Sequence, residues 1–150
     1  AIESKLMLFY LNIKRDASEI LTVQSRETQN KRSHLRRMKS LVGDISEIFS
    51  NNKKGNILGE ILHQGWEIKR TLTEEVSTDQ IDKYYQDARD AGAVGGKLLG
   101  AGGGGFLLLY VEKQNQEAVI DTLSDLFYLP VKFDDGGSRI TYYDQTTVLN

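Results

Sequence analysis

Seven of the chain's fourteen glycines lie between Gly95 and Gly105, and the apolar run Phe106–Val111 follows at once. That run is too short for an isolated helix, and its residue types suit a buried strand. Four consecutive glycines, 102–105, leave no side chains in the way. Backbone there can adopt positive φ and let another group come against bare N–H groups. Glycine adds no packing of its own, so a plain turn is one reading and a loop serving a site is the other. Residues 100–105 spell a literal Gly-x-Gly-x-x-Gly. As a dinucleotide fingerprint the match fails, because that motif needs a strand before it and a helix after it, whereas a strand follows here. It is not a Walker A loop either, since no Gly-Lys-Ser/Thr closes it.

A chain of 150 residues has the length of one domain and can bury one core. The formal net charge of −2 gives no ground for non-specific attraction to nucleic acid or a membrane surface. Cysteine is absent, which excludes disulfides and thiolate metal sites and fits a reducing, cytoplasmic compartment. No apolar run approaches the ~20 residues that span a bilayer, and Ala1-Ile2-Glu3-Ser4-Lys5 does not open a cleavable signal. The first residue is alanine, so the chain is expected to be cut from something longer.

Residues 5–13 read as a central, covered strand, continuous in Leu, Phe and Tyr. Asp16 or Ser18 can cap a helix reaching about Gln24. Residues 31–49 read as a helix with Leu35, Met38, Val42, Ile45 and Phe49 on its inner face. The basic side chains of its first turns make a solvated face or attract a phosphorylated ligand. Residues 51–56 read as a loop. In the next helix, 57–72, Ile57, Leu58, Ile61, Leu62, Gly65, Ile68 and Leu72 form one apolar stripe, with Glu60, Gln64 and Glu67 opposite. Lys69 falls at the stripe's edge, with Trp66, Arg70 and His63 beside it. A cation there is unfavourable unless its stem packs and its head reaches water or an anion. His63 is read as a surface or hydrogen-bonded histidine, or as a ligand contact.

Ser77 with Gln80 forms a capping box for a helix over 77–91, and Gly92 stands where a helix C-terminus favours glycine. Tyr84, Tyr85 and Ala88 are expected to pack. Residues 93–99 lead into the glycine loop as a strand and 105–111 lead out. Residues 115–127 read as a helix with Val119, Ile120, Leu123, Leu126 and Phe127 inward. Residues 131–133 and 139–143 are expected to close the fold as a hairpin through Asp134-Asp135-Gly136-Gly137. The remaining tail is polar.

Lys97-Leu98-Leu99-Gly100-Ala101-Gly102-Gly103-Gly104-Gly105-Phe106 resembles the third motif of the GHMP kinases, named for galactokinase, homoserine kinase, mevalonate kinase and phosphomevalonate kinase. The stretch from Gly59 to Arg70 and Gly136-Gly137-Ser138-Arg139-Ile140 resemble the branch that phosphorylates heptose 7-phosphate and the related fucokinase domains. In that branch the first strand runs into Thr-Gly-x-x-Arg-x-Ala; here Arg15 and Ala17 remain and the Thr-Gly is replaced. The resemblance covers nearly the whole chain but only the C-terminal half of such an enzyme.

Strands come early, in the middle and last, with helices between them, which reads as α+β with a mostly antiparallel sheet. The order suggests a ferredoxin-like core with additional helices, the form the resemblance also implies for a GHMP kinase C-terminal domain. Residues 1–150 are then one domain, and the family's N-terminal domain, with its Pro-x-x-x-Gly-Leu-x-Ser-Ser phosphate loop and catalytic aspartate, lies outside it. The resemblance implies an ATP- and Mg2+-dependent transfer of phosphate to a small-molecule hydroxyl on a sugar or sugar phosphate. The partners expected are that substrate and the chain's own N-terminal kinase domain. No catalytic or metal-binding residue is assigned within this chain, and the fragment alone is expected to be inactive. Lys97, Gly100, Ala101, Gly102, Gly103, Gly104 and Gly105 would close on the phosphate region; Arg15, His63, Trp66, Lys69 and Arg70 would face the substrate. Trp66 would offer a flat face to sugar C–H groups and Arg70 a bidentate anion donor. The alternative is a non-catalytic ferredoxin-like module that binds a small molecule.

Overall fold

Strand side chains alternate between two faces, and in β1 (Leu6–Tyr10) Met7 and Phe9 are buried while Leu6, Leu8 and Tyr10 are half-buried. A computed structural model of the chain describes residues 2–13, 18, 22, 25, 31–50, 56–72 and 76–141. After β1 come helices α1 (Arg32–Ser50), α2 (Ile57–Arg70) and α3 (Asp79–Asp90), then strands β2 (Ala93–Leu98) and β3 (Phe106–Val111), helix α4 (Gln116–Thr122) and strand β4 (Phe127–Pro130). The strands lie in the order β2-β3-β1-β4, and each neighbouring pair is antiparallel. This is the expected α+β, ferredoxin-like arrangement, with β1 an interior strand as its apolar run predicts. Among the described residues no helix is long and apolar enough to cross a membrane.

The main core joins Met7 and Phe9 to Leu107, Leu109 and Val111 of β3, beneath Ile81, Tyr85 and Ala88 of α3 and Val119 and Leu123 around α4. Each large apolar side chain so covered contributes about 1.5–3 kcal/mol. A second, smaller cluster joins α1 to α2 through Leu41, Ile48 and Ile61. Helix α2 lies directly on β2. A Cβ on Gly95 would stand 2.0 Å from the Gly59 carbonyl oxygen, and one on Gly59 would meet Val94 Cγ1 at 2.8 Å. This glycine pair is what lets helix and strand backbones come together.

Several expectations are corrected. The first strand is shorter than 5–13, because a 3-10 turn over Glu3–Lys5 precedes it. The cap of α3 is Thr78, whose side chain accepts the Ile81 N–H, while Ser77 donates instead to Asp82. Gly92 follows the helix at φ +108° as expected. The expected inner face of α1 is rotated: Val42 is 62% exposed and Phe49 55% exposed, whereas Leu41 and Ile48 are buried against α2. The helix expected over 115–127 ends at Thr122, and Phe127 is a strand residue, 68% exposed. The free edge of β1 draws that segment into the sheet, with Phe127 opposite Tyr10 and Pro130 opposite Met7. The closing hairpin is absent from the described part of its span. Residues 131–133 and 139–141 are not strand, and the Asp134 carboxylate instead accepts the Gly136 N–H at 2.7 Å. Such a side-chain-to-backbone turn competes with ladder pairing. Residues 142–143 lie outside the described residues, as do most of the expected helix to Gln24 and residues 51–55; Ser18, Thr22 and Ser25 are helical.

Candidate functional site

The loop between β2 and β3 is built from conformations that favour glycine. Gly100, Gly102, Gly103 and Gly105 have φ of +80°, +123°, +70° and +91°. Its base is closed by Leu99 N–H donating to the Phe106 carbonyl at 2.8 Å. Two neighbouring segments then hold it. Gly103 N–H donates to the Val76 carbonyl at 2.9 Å, and Gly105 N–H to the Ile13 carbonyl at 3.3 Å. A Cβ on Gly102 would stand 2.8 Å from the Val76 oxygen, and one on Gly104 would stand 2.3 Å from the Ile13 oxygen. The close approach that the glycines permit is therefore, at these two positions, an approach by the chain's own backbone. Gly100 differs: a Cβ there would meet nothing within 4 Å.

Lys69 reaches this loop from the last turn of α2. Its Nζ donates to the Gly100 carbonyl at 2.6 Å. The side chain is half-buried, and burial lowers its pKa from the ordinary lysine value, with the charge of Lys97 acting in the same direction. The charged lysine expected at the edge of an apolar stripe is thus found there, with a backbone carbonyl as its partner. Lys69 and Lys97 both line a cavity of about 200 Å³ between α1, α2 and β2. Leu41, Ile45, Ile61 and Leu62 line the rest of it, with Val42 and Met38 on the α1 side. Sequence reasoning placed the two lysines in separate motifs and missed the cavity. The signal was Gly65, which stands in the wall; a Cβ added there would meet Leu41 Cδ1 at 3.6 Å.

The other substrate-facing candidates sit elsewhere. His63 Nδ1 shares a 2.7 Å hydrogen bond with the Tyr85 hydroxyl, and the two rings stack with centroids 5.9 Å apart. Burial, then the nearby charge of Arg89, lowers the His63 pKa, and burial pushes the Tyr85 hydroxyl up to about 12. Trp66 is 0% exposed and belongs to the main core, so it presents no open face; its Nε1 has no hydrogen-bond partner among the described residues. Arg70 is engaged by Asp82 at 2.7 Å and Glu67 at 3.0 Å, and Ser77 Oγ donates to the other Asp82 oxygen at 2.6 Å. Arg15 lies outside the described residues. The structure therefore brings Lys69, Lys97 and Gly100 together, gathers His63 and Trp66 around Tyr85, and leaves Arg70 with Asp82 and Glu67. Among the described residues no group of three or more His, Cys, Asp or Glu side chains is arranged to hold a metal.

The glycine loop, the antiparallel sheet and the helix reaching the loop match a known pattern: the family model for the C-terminal domain of GHMP kinases fits residues 46–129. The chain belongs to the GHMP kinase C-terminal family. Over 124 residues, 81% of its length, this GHMP domain is 29% identical to the D-glycero-alpha-D-manno-heptose 7-phosphate kinase of Campylobacter jejuni, and the match covers 36% of that protein. Over 66 residues, 43% of its length, it is 41% identical to the mevalonate kinase of Thermococcus onnurineus and covers 20% of it. The domain thus spans about a third or less of the curated relatives it matches. Its fold resembles the crystal structure of Methanococcus jannaschii mevalonate kinase, with a TM-score of 0.69 at 21% identity over 83% of this chain and 37% of that one. L. major mevalonate kinase in complex with R-mevalonate gives 0.68 at 19% identity, over 80% and 37%.

Proposed function

We propose that this domain is the substrate-side half of an ATP-dependent kinase that phosphorylates a hydroxyl of a sugar or sugar phosphate, its glycine loop closing on the phosphate region. The observation that carries the reading is the corner where Lys69 holds the Gly100 carbonyl beside Lys97. Phosphoryl transfer asks a protein mainly for positioning and for stabilisation of charge. Two lysines at a glycine loop fit a polyphosphate, since partly desolvated cations act more strongly on an anion than cations in water. Lys69 also fixes the loop's first positive-φ residue, so charge and loop position are set by one contact. ATP supplies the phosphoryl group when bound. Magnesium would be held largely by the phosphates of ATP, and no residue of this chain is assigned to it. The sugar class is supported by the likeness to the heptose 7-phosphate kinase over most of this chain. Kinase relatives favour this reading over the non-catalytic binding module.

The test is ADP release by the full-length protein that carries this domain, with ATP, Mg2+ and two acceptors, D-glycero-alpha-D-manno-heptose 7-phosphate and mevalonate. Turnover with the heptose phosphate is expected. Turnover with mevalonate alone would overturn the sugar class, and no turnover with either acceptor or related sugars would overturn the kinase reading.

A further inference from the structure

The cavity between α1, α2 and β2 has a composition that a sugar does not fit. Its wall is aliphatic, built from Leu41, Ile45, Ile61 and Leu62, and among the described residues Lys69 and Lys97 are the charged side chains that line it. A polyhydroxylated body placed there would lose water from each hydroxyl without a partner in return, which is costly for every group so treated. An aliphatic body loses nothing by leaving water and gains from burial. The lysines ask for an anion at the same time. Among the described residues the half-buried Lys69 ammonium holds the Gly100 carbonyl and feels the like charge of Lys97, a setting that an anion would stabilise.

We infer that this cavity is a binding site for a short aliphatic anion: an unbranched alkyl phosphate or carboxylate with its head on Lys69 and Lys97 and its chain against Leu41, Ile45 and Ile61. The site shares Lys69 and Lys97 with the corner proposed for the polyphosphate and adds the aliphatic wall of α1 and α2. It does not depend on the kinase reading, because binding is measured without ATP or turnover. A cavity of about 200 Å³ has room for a short alkyl chain. Val42 opens one side of the cavity to solvent. Lys69 is shared between the cavity and the Gly100 carbonyl: one of its three N–H donors holds the loop, and the others are available to an anion beside it.

The experiment is calorimetric titration of the 150-residue chain with inorganic phosphate, butyl phosphate, hexyl phosphate, hexanoate and hexanol. Affinity should rise about fourfold per methylene from the butyl to the hexyl ester, the equivalent of ~0.8 kcal/mol per CH2. Hexanoate should bind, and hexanol and phosphate should each bind at least tenfold more weakly than hexyl phosphate. Lys97→Met should weaken hexyl phosphate tenfold or more. Val42→Asp, at an exposed position that leaves the core intact, should do the same through repulsion at the mouth. In amide and methyl NMR spectra, hexyl phosphate should shift the Gly100 amide together with the methyls of Ile45 and Ile61. Equal affinity for phosphate and hexyl phosphate would reduce the site to two surface cations and overturn the inference. So would unchanged binding by Val42→Asp, or shifts confined to residues away from α1 and α2.

Discussion

Gly104 and Gly100 sit four residues apart in one loop, yet replacing each by alanine should have different consequences. A methyl on Gly104 would stand 2.3 Å from the Ile13 oxygen and 3.1 Å from its carbonyl carbon. Both are backbone atoms, so relief requires the end of β1 and the loop to separate. Two hydrogen bonds span that junction, Gly105 N–H to Ile13 at 3.3 Å and Leu11 N–H to Gly105 at 2.9 Å. Losing one of them costs about 0.5–1.5 kcal/mol net, and the overpacking itself adds about 1–3 kcal/mol. The sum is about 1.5–4.5 kcal/mol, or roughly 3–18 °C in melting temperature at the ~2–4 °C per kcal/mol of a chain this size. A methyl on Gly100 meets nothing, and the substitution costs only the left-handed conformation at φ +80°, about 1–2 kcal/mol. Thermal and urea unfolding of both variants, followed by circular dichroism, measures the difference. In the full-length enzyme, Gly100→Ala should raise the KM for ATP while remaining folded. If Gly104→Ala melts within a degree or two of wild type, the backbone contact with Ile13 does not hold the loop, and the structural account of the glycine run is wrong.

Lys69→Met in the full-length enzyme keeps the stem and removes the charge; kcat/KM should fall roughly tenfold to a hundredfold, the ~1.5–3 kcal/mol of a charged hydrogen bond, with global stability unchanged. A variant with wild-type kinetics would leave Lys69 as a loop tether alone. His63 has a folded pKa below its ordinary 6.5, so the unfolded chain takes up a proton first as pH falls. Stability should therefore be full above about pH 6.5 and decline below it until the folded pKa is reached; His63→Gln should flatten that slope in urea titrations between pH 7 and 5. The isolated 150-residue chain, given ATP, Mg2+ and a panel of sugar phosphates, should release no ADP above background, and turnover that survives repurification would show that the catalytic groups lie within it.

The parts of the fold legible in the sequence are those where one local signal had a single solution. Phe106–Val111 had to be a covered strand, and Leu6–Tyr10 an interior one. Helix α1 was legible as a helix but not in its orientation. Leu35, Met38, Val42, Ile45 and Phe49 form a stripe, and Leu41, Ile45 and Ile48 form another beside it. Periodicity reports that an apolar arc exists, and only the position of α2 decides which part is covered. Trp66 was misplaced for a related reason. Helix α2 is packed on β2 through Gly59 and against α3 through His63 and Trp66 near Tyr85, so more of its circumference is buried than a single stripe implies. At 115–127 the apolar spacing continues through Leu126 and Phe127, and nothing local signals that the open edge of β1 outweighs it. For Lys69 the strained position was legible and the partner was not, because that partner is a backbone carbonyl 31 residues away.

That distant partner is nevertheless set by short-range geometry. The contact between Gly59 and Gly95 fixes where α2 rests along β2. From Gly59 to Lys69 is ten residues of helix, about 15 Å at ~1.5 Å per residue. From Gly95 to Gly100 is five residues of extended chain, about 16 Å at ~3.3 Å per residue. Two elements leaving one contact side by side therefore arrive together, with a lysine at the end of one and the first positive-φ glycine of the loop at the end of the other. A side chain at residue 59 or 95 would push the helix off the strand by an ångström or more without touching the loop. The Lys69 ammonium would then miss the Gly100 carbonyl, whose bond at 2.6 Å has little reach to spare. The two glycines outside the loop thus position its cation as firmly as the glycines within the loop shape its backbone.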